Sequence, residues 1–354
     1  MKNVITISGD PGSGKSTVRN ALKEEFEKQG KTVVICSVGD IFRHLAEEKG
    51  MSIEEFNRYL QKNDCDIDKN IENTIKKFGD KIRNENDSDK IYIIDSRLAW
   101  MVIPDSFKVR LTTTDRIAGT RAFEDKTRGE EDRYNSLEEA IEATSKRKQS
   151  ERERYKELYG VDLSDEENYD LNINTSFVQP SEIVDVIAQN MDRKNSNLFV
   201  CKTWASPKIL LPTQSIKGIK NLKNVDYGID AVTKSVEQNG YNPTNAVIVV
   251  KKDGMFLLSD GHNSAFGAAK AGVNLIPYYV EETDGKEYIS SKEEQIETLK
   301  SILGRMYPNI LYDYEEVWRD KKTNELLHTY DMVYPGIYGF KTQNQPGKKG
   351  NEGR

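Results

Sequence analysis

The octet Gly9-Asp10-Pro11-Gly12-Ser13-Gly14-Lys15-Ser16 constrains this chain more than any other stretch. It fits GxxxxGK[ST], and it lies between a short β-branched run (residues 4–8) and a helix-like stretch (15–29), the context in which that spacing carries chemistry. Glycines let the backbone wrap closely around phosphate oxygens, while inward N–H groups and the helix N-terminus behind them attract the anion. On this reading Gly9, Asp10, Pro11, Gly12, Ser13, Gly14, Lys15, Ser16 and Thr17 hold the phosphates of ATP. Lys15 bridges the β- and γ-phosphates and the Ser16 hydroxyl ligates Mg²⁺.

The rhythm that follows is strand, helix, strand. Apolar runs at 31–36 (KTVVIC), 91–95 (IYIID), 108–112 (KVRLT) and 171–174 (LNIN) are short and bounded, as buried parallel strands are. Helices are expected at 40–48, 52–60 and 136–159, the last opened by a Ser136/Glu139 capping box, with a closing helix at 180–190. This pattern predicts an α/β fold, a doubly wound parallel sheet with a helical lid. Asp95 ends its strand on the side where ligands of such sheets bind, a second candidate Mg²⁺ ligand beside Ser16. Polar, aperiodic MDRKNSN (191–197) places a domain boundary, so residues 1–192 are expected to fold and act alone.

A smaller α+β unit is expected at 198–283, with strands at 246–250, 255–258 and 275–280 and helices at 228–239 and 265–271. A helical extension of unassigned role follows (284–340), then a polar, Gly-rich tail (341–354) read as disordered.

Composition narrows the function classes. The chain has 354 residues, 52 Lys+Arg against 58 Asp+Glu, and a net charge of -6, which argues against direct DNA binding. Three scattered cysteines (Cys36, Cys65, Cys201) and three histidines (His44, His262, His328) exclude a disulfide framework and a Cys/His metal cluster, and they fit a reducing cytoplasm. No apolar run approaches the ~18 residues of a membrane span.

The acceptor side is written in arginines. Arg43 falls about a turn into the helix after the second strand, Arg97 follows Asp95, and a dense series runs from Arg116 to Arg154. Guanidinium groups grip phosphates bidentately, and a basic helical excursion between late strands suits a lid over transferring phosphates.

The blocks ITISGDPGSGKST, SVGDIFRHLAEEKGMSIEEFN, DSRLAWM, SLEEAIEATSKRKQSERERYKELYGVD and YDLNINTS, in this order, resemble a nucleoside monophosphate kinase, most of all the short archaeal-type cytidylate kinases, over residues 1–190. The resemblance implies that Ser37, Arg43 and Arg97 hold the acceptor monophosphate and that Asp170 lies by its nucleoside. It also implies that Arg147 and Arg154 belong to the lid, with Ser150 beside them. Ser96 stands where the family usually has Gly, another usual Gly near Trp100 is missing, and AFEDKTRGEEDRYN is longer than usual. These departures leave the base preference open, a modified pyrimidine monophosphate included.

Residues 209–281 resemble the small ParB/sulfiredoxin-like domain through ILLP, AVIVV and DGHNSAFGAAKAGVNLIPYYV. The resemblance implies an anion site at Asp260, Gly261, His262, Asn263 and Ser264, and a second nucleotide or phosphorylated ligand there. Sulfiredoxin's reactive Cys would fall at Gly261, the Arg usual after the His is Asn263, and the catalytic Glu of related serine kinases would fall near Lys220, so binding, or an altered reaction, is expected.

The expected activity is ATP- and Mg²⁺-dependent phosphorylation of a nucleoside monophosphate, CMP or dCMP favoured. Two other readings stay open. One is a small-metabolite kinase whose acceptor site the second domain shapes; the other is a non-enzymatic nucleotide-sensing or DNA-partition adaptor.

Overall fold

The structure, a computed structural model, describes residues 3–37, 50, 51, 59, 67–85, 87, 89–125, 134–213, 228–252, 254–281, 307–335 and 337. The helix expected at 40–48, with Arg43, lies outside them. So do Lys220, the first part of the expected 284–340 extension, and the 341–354 tail.

The described chain divides into two compact units, Met1–Ser206 and Pro207–Arg354. In the first, β1 (Val4–Gly9), β2 (Thr32–Ser37), β3 (Lys90–Asp95), β4 (Phe107–Thr112), β5 (Leu171–Asn174) and β6 (Thr203–Ala205) form a parallel sheet in the order β2-β3-β1-β4-β5-β6. The order turns back between β1 and β3, and register sets Ile7 opposite both Asp95 and Val109. The central strands β1, β3 and β5 are buried along nearly their whole length, which is why they read as continuous apolar runs, while β2 at the edge is mostly half-buried.

Helices cover the sheet. On one face α1 (Lys15–Lys28) buries Val18, Leu22 and Phe26 and packs against α6 (Pro180–Asn195). Elsewhere α2 (Ile67–Glu85) and the short α3 (Ala99–Val102) bring Ile75, Ile82, Ala99 and Ile103 onto Val4, Tyr92 and Ile94. Sequence reading passed over α2, whose Ile75, Phe78 and Ile82 keep helical spacing among many polar residues. It also passed over α4 (Asp115–Glu124), whose buried residues are the small Ala118, Gly119 and Ala122. The 23-residue α5 (Leu137–Tyr159) starts where the capping box put it. Ser136 Oγ accepts from Glu139 N at 3.1 Å, although the Glu139 carboxylate takes Asn135 N rather than the cap's own N–H.

The boundary expected at 191–197 is displaced. Helix α6 runs on to Asn195, and β6 then pairs in parallel with β5, burying Trp204, so the first unit ends at Ser206. Polar composition marked the solvent face of α6's last turns, not a linker.

In the second unit, β7 (Leu210–Pro212), β8 (Val247–Lys252), β9 (Met255–Asp260) and β10 (Ile276–Val280) form a mixed sheet. The β8–β9 hairpin is antiparallel, and β7 and β10 run parallel to β9 and β8. Helices α7 (Ile229–Asn239) and α8 (His262–Lys270) pack together, with Thr233 Oγ1 donating to Gly267 O at 3.2 Å. The described part of the 284–340 extension, left without a role by the sequence, belongs to this same core. Tyr314 in α9 (Tyr307–Glu315) packs at a tilt on Phe266, Trp318 just beyond it meets the same ring edge-on, and the Tyr330 and Tyr334 hydroxyls donate to Leu210 O and Ile209 O. Among the described residues no helix is long and apolar enough to cross a membrane.

A chain ended at Ser206 should melt about 5 °C or more above one ended at residue 192, because the shorter chain loses a helix turn and uncovers the edge of β5. Circular dichroism melting of both measures this; equal midpoints would show that β6 adds nothing to the first unit.

Candidate active site

The loop between β1 and α1 is held by close packing. Gly12 has φ +74°, and a Cβ there would meet Ala118 Cα at 2.8 Å; a Cβ on Gly9 would meet Leu111 O at 2.5 Å. Only glycine fits at either position. Asp10 N donates to Leu111 O at 2.9 Å and Ser13 N to Asp10 O at 3.2 Å, fixing the loop against β4.

Lys15 opens α1, and its Nζ lies 3.3 Å from Asp95 Oδ1; Arg19, one turn on, places Nη1 3.3 Å from Asp95 Oδ2. Burial pushes the Lys15 ammonium below its ordinary 10.5, with Asp95 pulling it partly back. The carboxylate that ends β3 therefore sits at the loop, as the strand-end argument expected. Ser16 and Thr17 are exposed on the first turn of α1, and Ser37, at the end of β2, is buried.

Beside the loop is a cleft lined by charged groups from several elements, among them Asp10, Arg97, Arg110, Lys148, Glu151 and Arg152. Glu151 Oε2 lies 2.5 Å from Arg97 and Oε1 3.0 Å from Arg147. Asp10 takes Arg110 and Lys148, each at 3.4 Å, and Lys148 also reaches Asp115 at 3.3 Å. Burial pulls the Lys148 ammonium down, but Asp10 and Asp115 outweigh it, so the net shift is upward. Arg152 pairs with Asp162 at 2.7 Å; burial raises that carboxyl, but Arg152 and Ser164 overrule it and bring it to about 2.

Arg97 pairs through Nη2 with Glu151. Its Nη1 is buried and has no hydrogen-bond partner among the described residues. Trp100, near which a usual family glycine is missing, braces the Arg97 turn: its Nε1 donates to Arg97 O at 2.9 Å and its ring lies 5.4 Å from that of Tyr169. Ser96 N donates to Ile7 O at 3.2 Å, tying the turn to β1.

The structure does not bring every expected residue to this place. Asp170 precedes β5, at the strand end away from the loop; its carboxylate accepts from Lys108 N at 2.9 Å and Lys194 Nζ at 2.5 Å, closing the sheet rather than facing a nucleoside. Arg154 is exposed beside the Tyr155 ring, and Arg147 reaches the cleft only through Glu151. The face of α5 that lines the cleft carries Lys148, Glu151 and Arg152 instead. Arg19, Arg110 and Lys148 were missed. For Arg110 the signal was present: it is the one charge at the centre of KVRLT, and it lies 6% exposed.

In the second unit the 260–264 turn is built, with Gly261 at φ +86° before α8, and Asp260 accepts from Gly261 N at 2.7 Å. His262, however, is 4% exposed, and its Nε2 accepts the Thr213 N–H at 3.1 Å. Burial drops its pKa to about 4, Asp260 raising it only slightly, so the ring is a neutral acceptor and not a phosphate-binding cation. Asn263 Oδ1 is buried without a partner among the described residues, and Ser264 Oγ accepts from Asn245 at 3.4 Å. The second-domain family resemblance rests on sequence alone.

A phosphate-wrapping loop, a lysine on its helix and a carboxylate on the neighbouring strand define the first unit as a P-loop phosphotransferase domain of nucleoside monophosphate kinase type. A model of the cytidylate kinase-like family matches residues 4–177, and the chain belongs to that family. The cytidylate kinase of Methanocella arvoryzae is 35% identical over 190 residues, covering 53% of this chain and 97% of that protein. That of Halobacterium salinarum is 33% identical over 191 residues, covering 53% and 89%. An S-adenosylmethionine-dependent nucleotide dehydratase of Lacinutrix mariniflava is 32% identical over 197 residues; the match covers 55% of this chain, which spans only 37% of that relative.

The buried rings predict a pH dependence. His262 and His328 both fall from 6.5 to about 4 on folding, burial being the main cause. Between those values the unfolded chain binds the proton and the folded chain does not, so stability is present above pH 6.5 and lost as pH falls toward 4. The loss is on the order of 3 kcal/mol per ring at most. His262→Gln should flatten this slope in urea titrations at pH 4.5 and 7; an unchanged slope would contradict the neutral assignment.

Proposed function

We propose that this chain transfers the γ-phosphoryl group of ATP to a nucleoside monophosphate, with CMP or dCMP the acceptor. The observation that carries the reading is the meeting of Lys15, Asp95 and Arg97 beside the phosphate loop, with Arg97 Nη1 buried and unpartnered among the described residues. A guanidinium left with a buried free donor gains most when a phosphate oxygen supplies the bond.

Phosphoryl transfer needs positioning and charge neutralisation more than a nucleophile from the protein. The loop amides and Lys15 hold the ATP phosphates, and Ser37, Arg43 and Arg97 the acceptor phosphate. Lys148 and Arg152, with Arg147 behind Glu151, supply cations over the transferring group. The acceptor oxygen is already ionised at neutral pH, so no general base is assigned. Ser16 and Asp95 offer the hard oxygen donors that Mg²⁺ takes, and the ion, when bound, would neutralise phosphate charge there.

The test is an acceptor panel scored by ADP release: CMP, dCMP, UMP, AMP, GMP and small hydroxylated metabolites. CMP or dCMP should exceed the other nucleotides in kcat/KM by tenfold or more. A metabolite that outruns every nucleotide would replace this reading.

Two variants sharpen it. Lys15→Ala should lower kcat about 10³-fold with the fold retained, since its charge supplies several kcal/mol at the transition state. Arg97→Ala should raise the KM of the monophosphate by roughly tenfold or more, one charge-assisted bond of about 1.5–3 kcal/mol, and leave the KM of ATP within twofold. The opposite split would reverse the division of the site.

A further inference from the structure

Arg121, on α4, and Thr175, just after β5, lie outside the cleft lining, yet they touch the back of the phosphate loop. Arg121 Nη1 donates to Gly12 O at 2.9 Å and to Thr175 Oγ1 at 3.0 Å, and Nη2 donates to Thr175 O at 2.8 Å. Thr175 Oγ1 lies 2.9 Å from Ser13 O and 3.1 Å from Thr112 O. That hydroxyl has one proton to give and already accepts from Arg121, so the loop carbonyl and the strand carbonyl share it.

In a planar trans peptide the C=O and the following N–H point opposite ways. Holding Gly12 O and Ser13 O from behind therefore turns the N–H groups of Ser13 and Gly14 to the inner side of the loop. The Ser13 N–H indeed crosses to Asp10 O at 3.2 Å, and the same peptide geometry sets the Gly14 N–H opposite the Ser13 carbonyl that Thr175 holds. Glycines at 12 and 14, both at positive φ, leave these peptide planes otherwise easy to flip.

We propose that Arg121 and Thr175 are positioning residues for ATP, a clamp that fixes the two peptide planes of the phosphate loop before the nucleotide arrives. The proposal rests on the reading of residues 9–17 as the ATP phosphate cradle. Neither side chain is assigned contact with the acceptor. The clamp joins α4, the β5–α6 turn and the loop, so the phosphate cradle depends on elements far from it in sequence.

The test uses the full chain with Thr175→Val, Thr175→Ser, Arg121→Lys and wild type. ATP affinity is measured by calorimetry, the KM of ATP and of CMP by ADP release, and folding by thermal melting. Thr175→Val keeps shape and removes the hydroxyl; Arg121→Lys keeps charge and loses the two-sided fork. Both should weaken ATP binding about tenfold and raise its KM alike, with the KM of CMP within twofold; Thr175→Ser should restore wild-type ATP affinity. ATP affinity within twofold of wild type in both variants would overturn the clamp. So would equal rises in both KM values with a lowered melting point, which mark a merely structural pair. Wild type that binds ATP but phosphorylates no acceptor would overturn the proposed function while the calorimetry still decides the clamp. Wild type that binds no ATP would overturn both.

Discussion

The structure around the loop depends on carboxylates that each hold cations beside a buried strand end. Asp95 takes Lys15 and Arg19, Glu151 takes Arg97 and Arg147, Asp10 takes Arg110 and Lys148, and Asp162 takes Arg152. Unpaired, these cations would repel one another across a few ångströms at reduced dielectric, and their desolvation would oppose folding. With the carboxylates in place, a strongly basic wall forms in a chain whose net charge is -6.

The same arrangement shapes ligand entry. On the proposed function, a phosphate oxygen would fill the buried Nη1 donor of Arg97 that has no partner among the described residues, while Glu151 keeps Nη2, so the carboxylate would orient the guanidinium for the ligand. Asp10 extends the principle to the loop itself: as a loop residue holding Lys148 of α5, it couples the helix that lines the cleft to the strand-end turn that wraps phosphate.

Most of the sheet was legible in sequence because parallel strands buried on both faces leave continuous apolar runs, and the phosphate loop because its glycines answer to local geometry. Less legible were features that depend on which way a helix faces. Seven arginines between Arg116 and Arg154 could not be sorted by count, and the phase of α5 selects Lys148, Glu151 and Arg152 for the cleft while Arg154 faces solvent. Asp170 matched a family block in sequence, but its carboxylate is taken by Lys194 of α6, a partner distant in the chain. The polar stretch at 191–197 misled for a related reason: the exposed face at a helix end has the composition of a linker. In the second unit the DGH turn was legible, but the ring's direction was not, since the Thr213 amide that claims His262 lies 49 positions away.

Helix α5 carries this logic to its end. Twenty-three residues at about 1.5 Å each span roughly 35 Å, and its buried residues, Ala140 and Thr144, both lie in the first third. There it packs closely on α4: a Cβ on Gly119 would meet Ile141 Cα at 2.6 Å. Beyond Thr144 it meets other elements through charged groups: Ser145 and Lys148 reach the Asp115 carboxylate, Lys148 also Asp10, Glu151 reaches Arg97 and Arg152 reaches Asp162. Apolar contact falls off steeply with any displacement, whereas ion pairs exchange partners at modest cost when a competing anion arrives. The N-terminal third thus anchors the helix, while the part that faces the cleft is held by the same class of interaction that a nucleotide phosphate makes.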